Sequence, residues 1–360
     1  MIETMDDRIS LGILALVLGL IVGTVLFVPF VAISYRRRGG LSFGRFVLWA
    51  AALVYFLAVW TYTLLPLPDP DAIRCVGVNL NVLEFIDDID GAIARPGSTI
   101  TDPAVLQLLF NVLLFVPLGF FIRVLGGRGI LVAIAVGFGV SLFIETTQVT
   151  GVWGIYPCAY RVFDVDDLLT NTLGAALGSL ASLVVPRRHR GSPRMADADV
   201  ARPVTRGRRA LAVLCDVLAF ALVAIATSVA AQVVLEVTGR HDLVVAGTVA
   251  DWLGPSVAAG VWLVVVLSTG RSVGDLAVQL RYRGGRVPTP IARILRWCGG
   301  ISGFALLDLL PDPWSLAAVV FALASLIAFF TTAAGRGIPG LVSGMQLADA
   351  REAAPVSSTG

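Results

Sequence analysis

NVLLFVPLGFFIRVLGGRGILVAIAVGFGVSLFIETTQ, residues Asn111 to Gln148, is a pair of apolar runs separated by a turn that carries Arg123 and Arg128. A helix crosses a hydrocarbon core of about 30 Å with roughly 20 such residues, so each run reads as one membrane span. Polar side chains interrupt the pattern at Asn111, Glu145 and Gln148, and again at Asp167 and Asn171 in the following run. A carboxylate near mid-bilayer costs about 2.5 to 3.5 kcal/mol on insertion scales. Each of these residues therefore needs a partner, water or a purpose.

The whole chain of 360 residues follows the same pattern, with 57% hydrophobic and only 14% charged residues. Ordinary soluble domains carry about a quarter charged residues. The expected fold is all-α, a polytopic transmembrane helical protein with about nine spans in two bundles. The spans fall near 9–35, 46–67, 105–125, 129–148, 166–185, 210–236, 250–269, 291–310 and 314–332. The eighth is the least regular, because Arg293, Arg296, Gly299, Gly300 and Asp308 leave it a short clean stretch. The first has an acidic flank (Glu3, Asp6, Asp7) and exceeds a signal-peptide apolar core, so it reads as a retained helix. The expected organisation is an N-terminal helix with its basic anchor (1–45), a first bundle (46–185), a basic linker (186–205), a second bundle (206–350) and a disordered tail (351–360).

A formal net charge of +2 is too small to indicate nucleic-acid binding. Every cation is arginine, which removes lysine Schiff-base or general-base chemistry. The two histidines, His189 and His241, lie outside the apolar runs, so no histidine-rich metal site and no cofactor are expected. The arginines cluster beside spans: Arg36, Arg37, Arg38 and Arg45, then Arg123 and Arg128, then eight between Arg187 and Arg209. The positive-inside rule assigns these to the cytoplasm, which puts the N-terminus and the 68–104, 149–165 and 237–249 loops outside and the C-terminus inside. Cys75 and Cys158 then fall one in each of two outer loops, where a disulfide between them or two free thiols are both open.

Ser141, Glu145 and Gln148 share one helical face, as do Asp167, Asn171, Gly174 and Gly178 on the next helix. The small-xxx-small pair Gly174 and Gly178 lets a neighbouring helix approach closely. Arg161 stands beside Asp164, Asp166 and Asp167 in the short connection. One reading makes this set interhelical glue. The other makes it an outward-facing pocket for a polar ligand, with Glu145, Arg161 and Asp164 in contact and Asn111, Gln148, Asp166 and Asn171 shaping it. No nucleophile with an adjacent base, HExxH spacing or phosphate-binding glycine loop accompanies the acids, so an enzyme is not expected and no catalytic residue is assigned.

The runs NVLLFVPLGFF (Asn111–Phe121), SLFIETTQ (Ser141–Gln148) and RVFDVDDLLTNTLGAALG (Arg161–Gly178) resemble the VanZ-like family of bacterial membrane proteins over about residues 46–185. Trp60, Thr61, Leu64, Pro66, Asn81 and Phe85 fit its earlier pattern, while Glu84 stands where that family often has proline. The resemblance implies a bacterial plasma-membrane protein without an assigned reaction. Its name-giving member is associated with low-level teicoplanin resistance, so a cell-wall precursor or a glycopeptide is the implied ligand class, beside the lipid bilayer as partner.

In the second bundle, Arg209 and Asp216 open the sixth span, and GRSVGDLAVQLRYRGGRVPTPIARILRW (Gly270–Trp297) follows with many arginines. Gly284 and Gly285 suggest a hairpin turn. Arg209, Asp216, Gly274, Leu280, Arg281, Gly284 and Gly285 resemble the RDD family over about residues 206–350, with RGIPGLVSGMQLA departing from its terminal acidic pattern. By its cost inside the membrane, Asp216 reads either as a structural salt bridge with a loop arginine or as an ion or proton site with Arg209 and Arg281, and coupled transport with Glu145 and Asp216 as the titrating groups is the alternative function.

Overall fold

The computed structural model describes residues 5–64, 73–191 and 193–352, without the side chains of 5–20, 62 and 64. Pro66, Asp69 and Asp71 lie outside the described residues, as does all but Arg351 and Glu352 of the tail expected at 351–360. The chain divides into two compact units, one of residues 1–23 with 42–192 and one of residues 24–41 with 193–360. Helix dominates both, and six helices among the described residues are long and apolar enough to cross a membrane. Their outer faces are apolar, as at Leu131, Val229 and Val264. Soluble monomers do not expose contiguous surfaces of that kind. The chain is an all-α polytopic membrane protein.

In the first unit α1 (Met5–Arg38, of which residues 5–23 belong here) and α2 (Phe43–Leu64) precede a short strand β1 (Val78–Asn79) and α3 (Glu84–Ala94). Then come α4 (Pro103–Val124), α5 (Ile130–Val149), a single turn α6 (Gly151–Gly154), β2 (Phe163–Asp164) and α7 (Val165–Ala181). Local chemistry sets the helix starts. Asp102 caps α4 by accepting from Ala104 N, with Pro103 at the first position. Asp164 caps α7 by accepting from Asp166 N, and Asp166 and Asp167 place negative charge on its first turn. α4 runs unbroken through Pro117, beside which Tyr55 OH donates to Leu114 O at 2.6 Å.

Close approach of α4 and α7 is enforced by missing side chains. A Cβ on Gly178 would lie 1.8 Å from Val116 O, one on Gly174 2.2 Å from Val112 O, and one on Gly119 1.8 Å from Ala175 O. Around that seam Val59, Phe115, Ile144 and Ala175 form the apolar core. β1 and β2 pair in parallel, Asn79 opposite Asp164, above which a disulfide joins Cys75 to Cys158 with Cα atoms 5.5 Å apart.

The second unit contains the remainder of α1 with α8 (Arg206–Val237), α9 (His241–Ala246), α10 (Thr248–Thr269), α11 (Val273–Ala277), β3 (Leu280–Arg283), α12 (Thr289–Cys298), α13 (Ile301–Asp308), α14 (Leu316–Thr331), α15 (Gly337–Ser343) and β4 (Gln346–Asp349). Three expectations change here. The eighth span is not one helix: Gly299 and Gly300 break it into the ten-residue α12, which carries Arg293 and Arg296, and the eight-residue α13. The ninth, α14, has 16 residues, a rise of about 24 Å, short of a full hydrocarbon core. The hairpin at Gly284 and Gly285 does not form, since β3 pairs antiparallel with β4, Leu280 opposite Asp349. Pro288 and Pro290 divert the chain after that turn into α12, and proline cannot continue a central ladder.

Candidate functional site

Five acids of the first unit, Glu84, Glu145, Asp164, Asp166 and Asp167, gather where α5, α7 and the β1–α3 segment meet. The Asn111 Nδ2 donates to Asp167 Oδ1 at 2.5 Å, joining α4 to α7. Asn171 Nδ2 donates to Ser141 Oγ at 2.9 Å, and Ser141 Oγ to Asp167 O at 3.4 Å, joining α7 to α5. Gln148 Nε2 donates to Thr63 O at 2.7 Å, and Arg161 Nη1 donates to the same oxygen at 3.4 Å. Asn111, Gln148 and Asn171 thus each bond across a helix pair. Asn171 Oδ1 is buried without a partner.

Asp166 has a defined task. Its Oδ1 accepts from Leu83 N at 2.7 Å and its Oδ2 from Phe85 N at 3.0 Å. Leu83 has φ 69°, a left-handed conformation that costs a branched residue about 1 to 3 kcal/mol unless surroundings hold it. The Asp166 carboxylate is that hold. Glu84 takes the first helical position of α3, the place where proline would also fit, and accepts from Asn79 Nδ2 at 2.7 Å. The same Asn79 Nδ2 lies 3.3 Å from Asp164 Oδ2.

Glu145 differs from its neighbours. Its side chain is 4% exposed, and Oε2 accepts from Asp164 N at 3.2 Å. It makes no ion pair among the described residues, and Arg161, exposed at the rim, makes none either. Five carboxylates (Glu84, Glu145, Asp164, Asp166, Asp167) thus gather here without an ion pair among the described residues, and Arg161, bonded to Thr63 O, lies within electrostatic reach of Glu145. The arrangement can accept hydrogen bonds or positive charge from a ligand. It supplies no activated nucleophile.

The second unit binds its charges into two buried networks. Asp349, fully buried, accepts from Arg208 Nη1 at 2.7 Å, Arg351 Nη2 at 2.6 Å and Arg202 N at 2.9 Å. Burial acts to raise the Asp349 pKa, but the hydrogen bonds from Arg351 and Arg208 hold it well below the usual carboxylate range. Asp275 accepts from Arg209 Nη1 at 2.7 Å and Arg296 Nη2 at 3.0 Å. Asp216 makes no ion pair among the described residues. Its Oδ1 accepts from Trp262 Nε1 at 3.2 Å and Gly274 N at 2.8 Å, and its Oδ2 from Ser272 Oγ at 2.7 Å. Of the expected trio, Arg209 lies beside Asp216 across Asp275, while Arg281 points elsewhere and donates to Glu352 O. Sequence reasoning missed Asp275 and Asp349, and it offered Arg296 as one of several loop arginines for Asp216, whereas Arg296 pairs with Asp275. One readable signal was the capping box Ser272 to Asp275, in which each side chain accepts from or faces the other's backbone N–H.

Residues 46–185 match the family model VanZ/LLP1. The matched segment lies within the first unit and contains the acidic cluster. No curated protein and no solved structure matches the chain.

Proposed function

We propose that this membrane protein with a VanZ-like domain recognises a polar cell-envelope ligand at the outer face of a bacterial plasma membrane, without catalysing a reaction. The observation that carries the reading is Glu145: buried, supported by one backbone donor, and without a cation. An acid kept so deep in an apolar helix is a functional group by default. Asp164 and Asp167 lie next to it and Arg161 marks the rim, so the ligand brings hydrogen-bond donors or positive charge to the acids and an acceptor to Arg161. Asn111, Gln148 and Asn171 fix the helices that shape the pocket, and Asp166 fixes the loop above it.

The outward orientation is supported by the Cys75–Cys158 bridge, since disulfides persist on the oxidising side of a membrane. With the loops of that bridge outside, the N-terminus is outside and the C-terminus cytoplasmic. A glycopeptide or a cell-wall precursor fits the ligand class, being rich in donors and found at that face. The test is teicoplanin and vancomycin susceptibility in a host expressing wild type or Glu145→Gln at equal membrane abundance. Protection by wild type that Glu145→Gln removes supports the reading; no protection by abundant wild type removes the glycopeptide part of it.

A second reading, ion- or proton-coupled transport through the RDD-like second unit, is favoured by one observation: Asp216 is a buried acid with neutral donors only. Uptake that depends on pH or sodium in wild type and loses that dependence in Asp216→Asn would support it.

A further inference from the structure

Beside Asp216 and Asp275 the second unit holds a cavity of about 570 Å³. That is within the roughly 300 to 1,000 Å³ of small-molecule sites. Most of its wall is hydrocarbon, with Phe304, Phe321 and Phe329 among the lining residues. The polar part of the lining is Arg209, Arg296 and Ser302 together with the two acids.

The hydrogen bonding of these groups is lopsided. Both carboxylates are fully engaged, Asp275 by Arg209, Arg296 and Ser272 N, and Asp216 by Trp262, Gly274 N and Ser272 Oγ. The leftover groups are Arg209 Nε, Arg296 Nε and Ser302 Oγ, all buried and without a partner. Ser302 is 1% exposed and Arg296 5%. Two guanidinium N–H donors and a hydroxyl call for acceptor oxygens, and buried polar groups are rarely left so. The wall also reaches the apolar outer face, because the lining residues Val213 and Val217 on α8 and Leu326 on α14 are exposed. An occupant thus enters sideways, chain in hydrocarbon and head inward.

We infer that this cavity binds a single-chain membrane amphiphile with an oxyanion head, the phosphate or carboxylate oxygens accepting from Arg209, Arg296 and Ser302 while the chain lies against the phenylalanines. The site is independent of the acidic cluster in the first unit, and its test does not touch Glu145.

Full-length protein, delipidated in a non-ionic detergent, is titrated with oleoyl lysophosphatidate, monooleoylglycerol or inorganic phosphate and followed by native mass spectrometry. The expected result is one copy of lysophosphatidate bound, weaker binding of monooleoylglycerol with the same chain, and none of phosphate alone. Ser302→Ala is expected to weaken lysophosphatidate about tenfold and leave monooleoylglycerol unchanged, as one charge-assisted hydrogen bond implies. Ser325→Phe, on the half-buried part of the wall, is expected to exclude both lipids; Ser302→Ala carries the test should that variant fail to fold. Equal binding of the two lipids, binding of phosphate alone, or lysophosphatidate uptake unaffected by Ser302→Ala overturns the inference.

Discussion

At the scale of single residues, burial and pairing separate acids that look alike in the sequence. Asp349 is a structural anion: the guanidiniums of Arg208 and Arg351 and the backbone N–H groups of Arg202 and Arg351 converge on it. Asp349→Asn leaves Arg208 buried without its counter-charge and is expected to destabilise the second unit by about 3 to 5 kcal/mol, read as a lowered thermal midpoint in detergent. The pH dependence has a definite sign. The folded pKa is depressed, so the stabilisation is complete above the ordinary aspartate value of about 3.9 and is lost as pH falls toward the folded value. Wild-type thermal stability should therefore decline on acidification below about pH 4, and Asp349→Asn should flatten that decline. Glu145 has no comparable pair, so Glu145→Gln is expected to keep abundance and melting near wild type while abolishing the ligand-dependent phenotype. A large drop in abundance instead would mark Glu145 as glue.

At the scale of elements, the seam between α4 and α7 depends on hydrogen in place of a methyl group. Gly178→Ala puts a Cβ against the backbone oxygen of Val116, which has no flexible end to swing away. The expected cost is about 1 to 3 kcal/mol, measured by thermal denaturation. Gly139→Ala on α5 is the control, because nothing lies within 4 Å of its Cβ position. That variant is expected to be neutral or stabilising by up to about 1 kcal/mol from helix propensity. The Gly174–Gly178 spacing announced this seam in the sequence, whereas the partner carbonyls of Val112 and Val116 belong to a helix some sixty residues earlier and left no local mark. Breakage of the eighth span was foreshadowed by Gly299 and Gly300, yet only the packed α12 and α13 show where the helix stops.

On the scale of the whole molecule, the Cys75–Cys158 bridge closes a separation of 83 residues around α3, α4 and α5. Reduction is expected to destabilise the first unit by about 2 to 4 kcal/mol and to leave the melting of the second unit unchanged. A membrane-impermeant reductant applied to intact cells should open the bridge, seen as thiols labelled by an impermeant maleimide. Labelling only after lysis would place those loops on the other side and reverse the orientation of the chain.

The class of the protein, its principal spans and the positions of its polar interruptions follow from the sequence, because hydropathy over twenty residues and helical spacing are local properties. So does the VanZ-like segment, whose motifs are contiguous. The roles of the polar residues belong to the tertiary structure. Asn111 finds Asp167, Asp166 clamps the Leu83 turn, and β3 turns past its own hairpin to β4, each a pairing across 56 or more residues. Charge pairing and cavity shape depend on which side chains meet in space, and a span signal carries no information about its neighbours. For that reason the sequence singled out Asp216 and passed over Asp275, and only packing assigned Arg209 and Arg296 to Asp275.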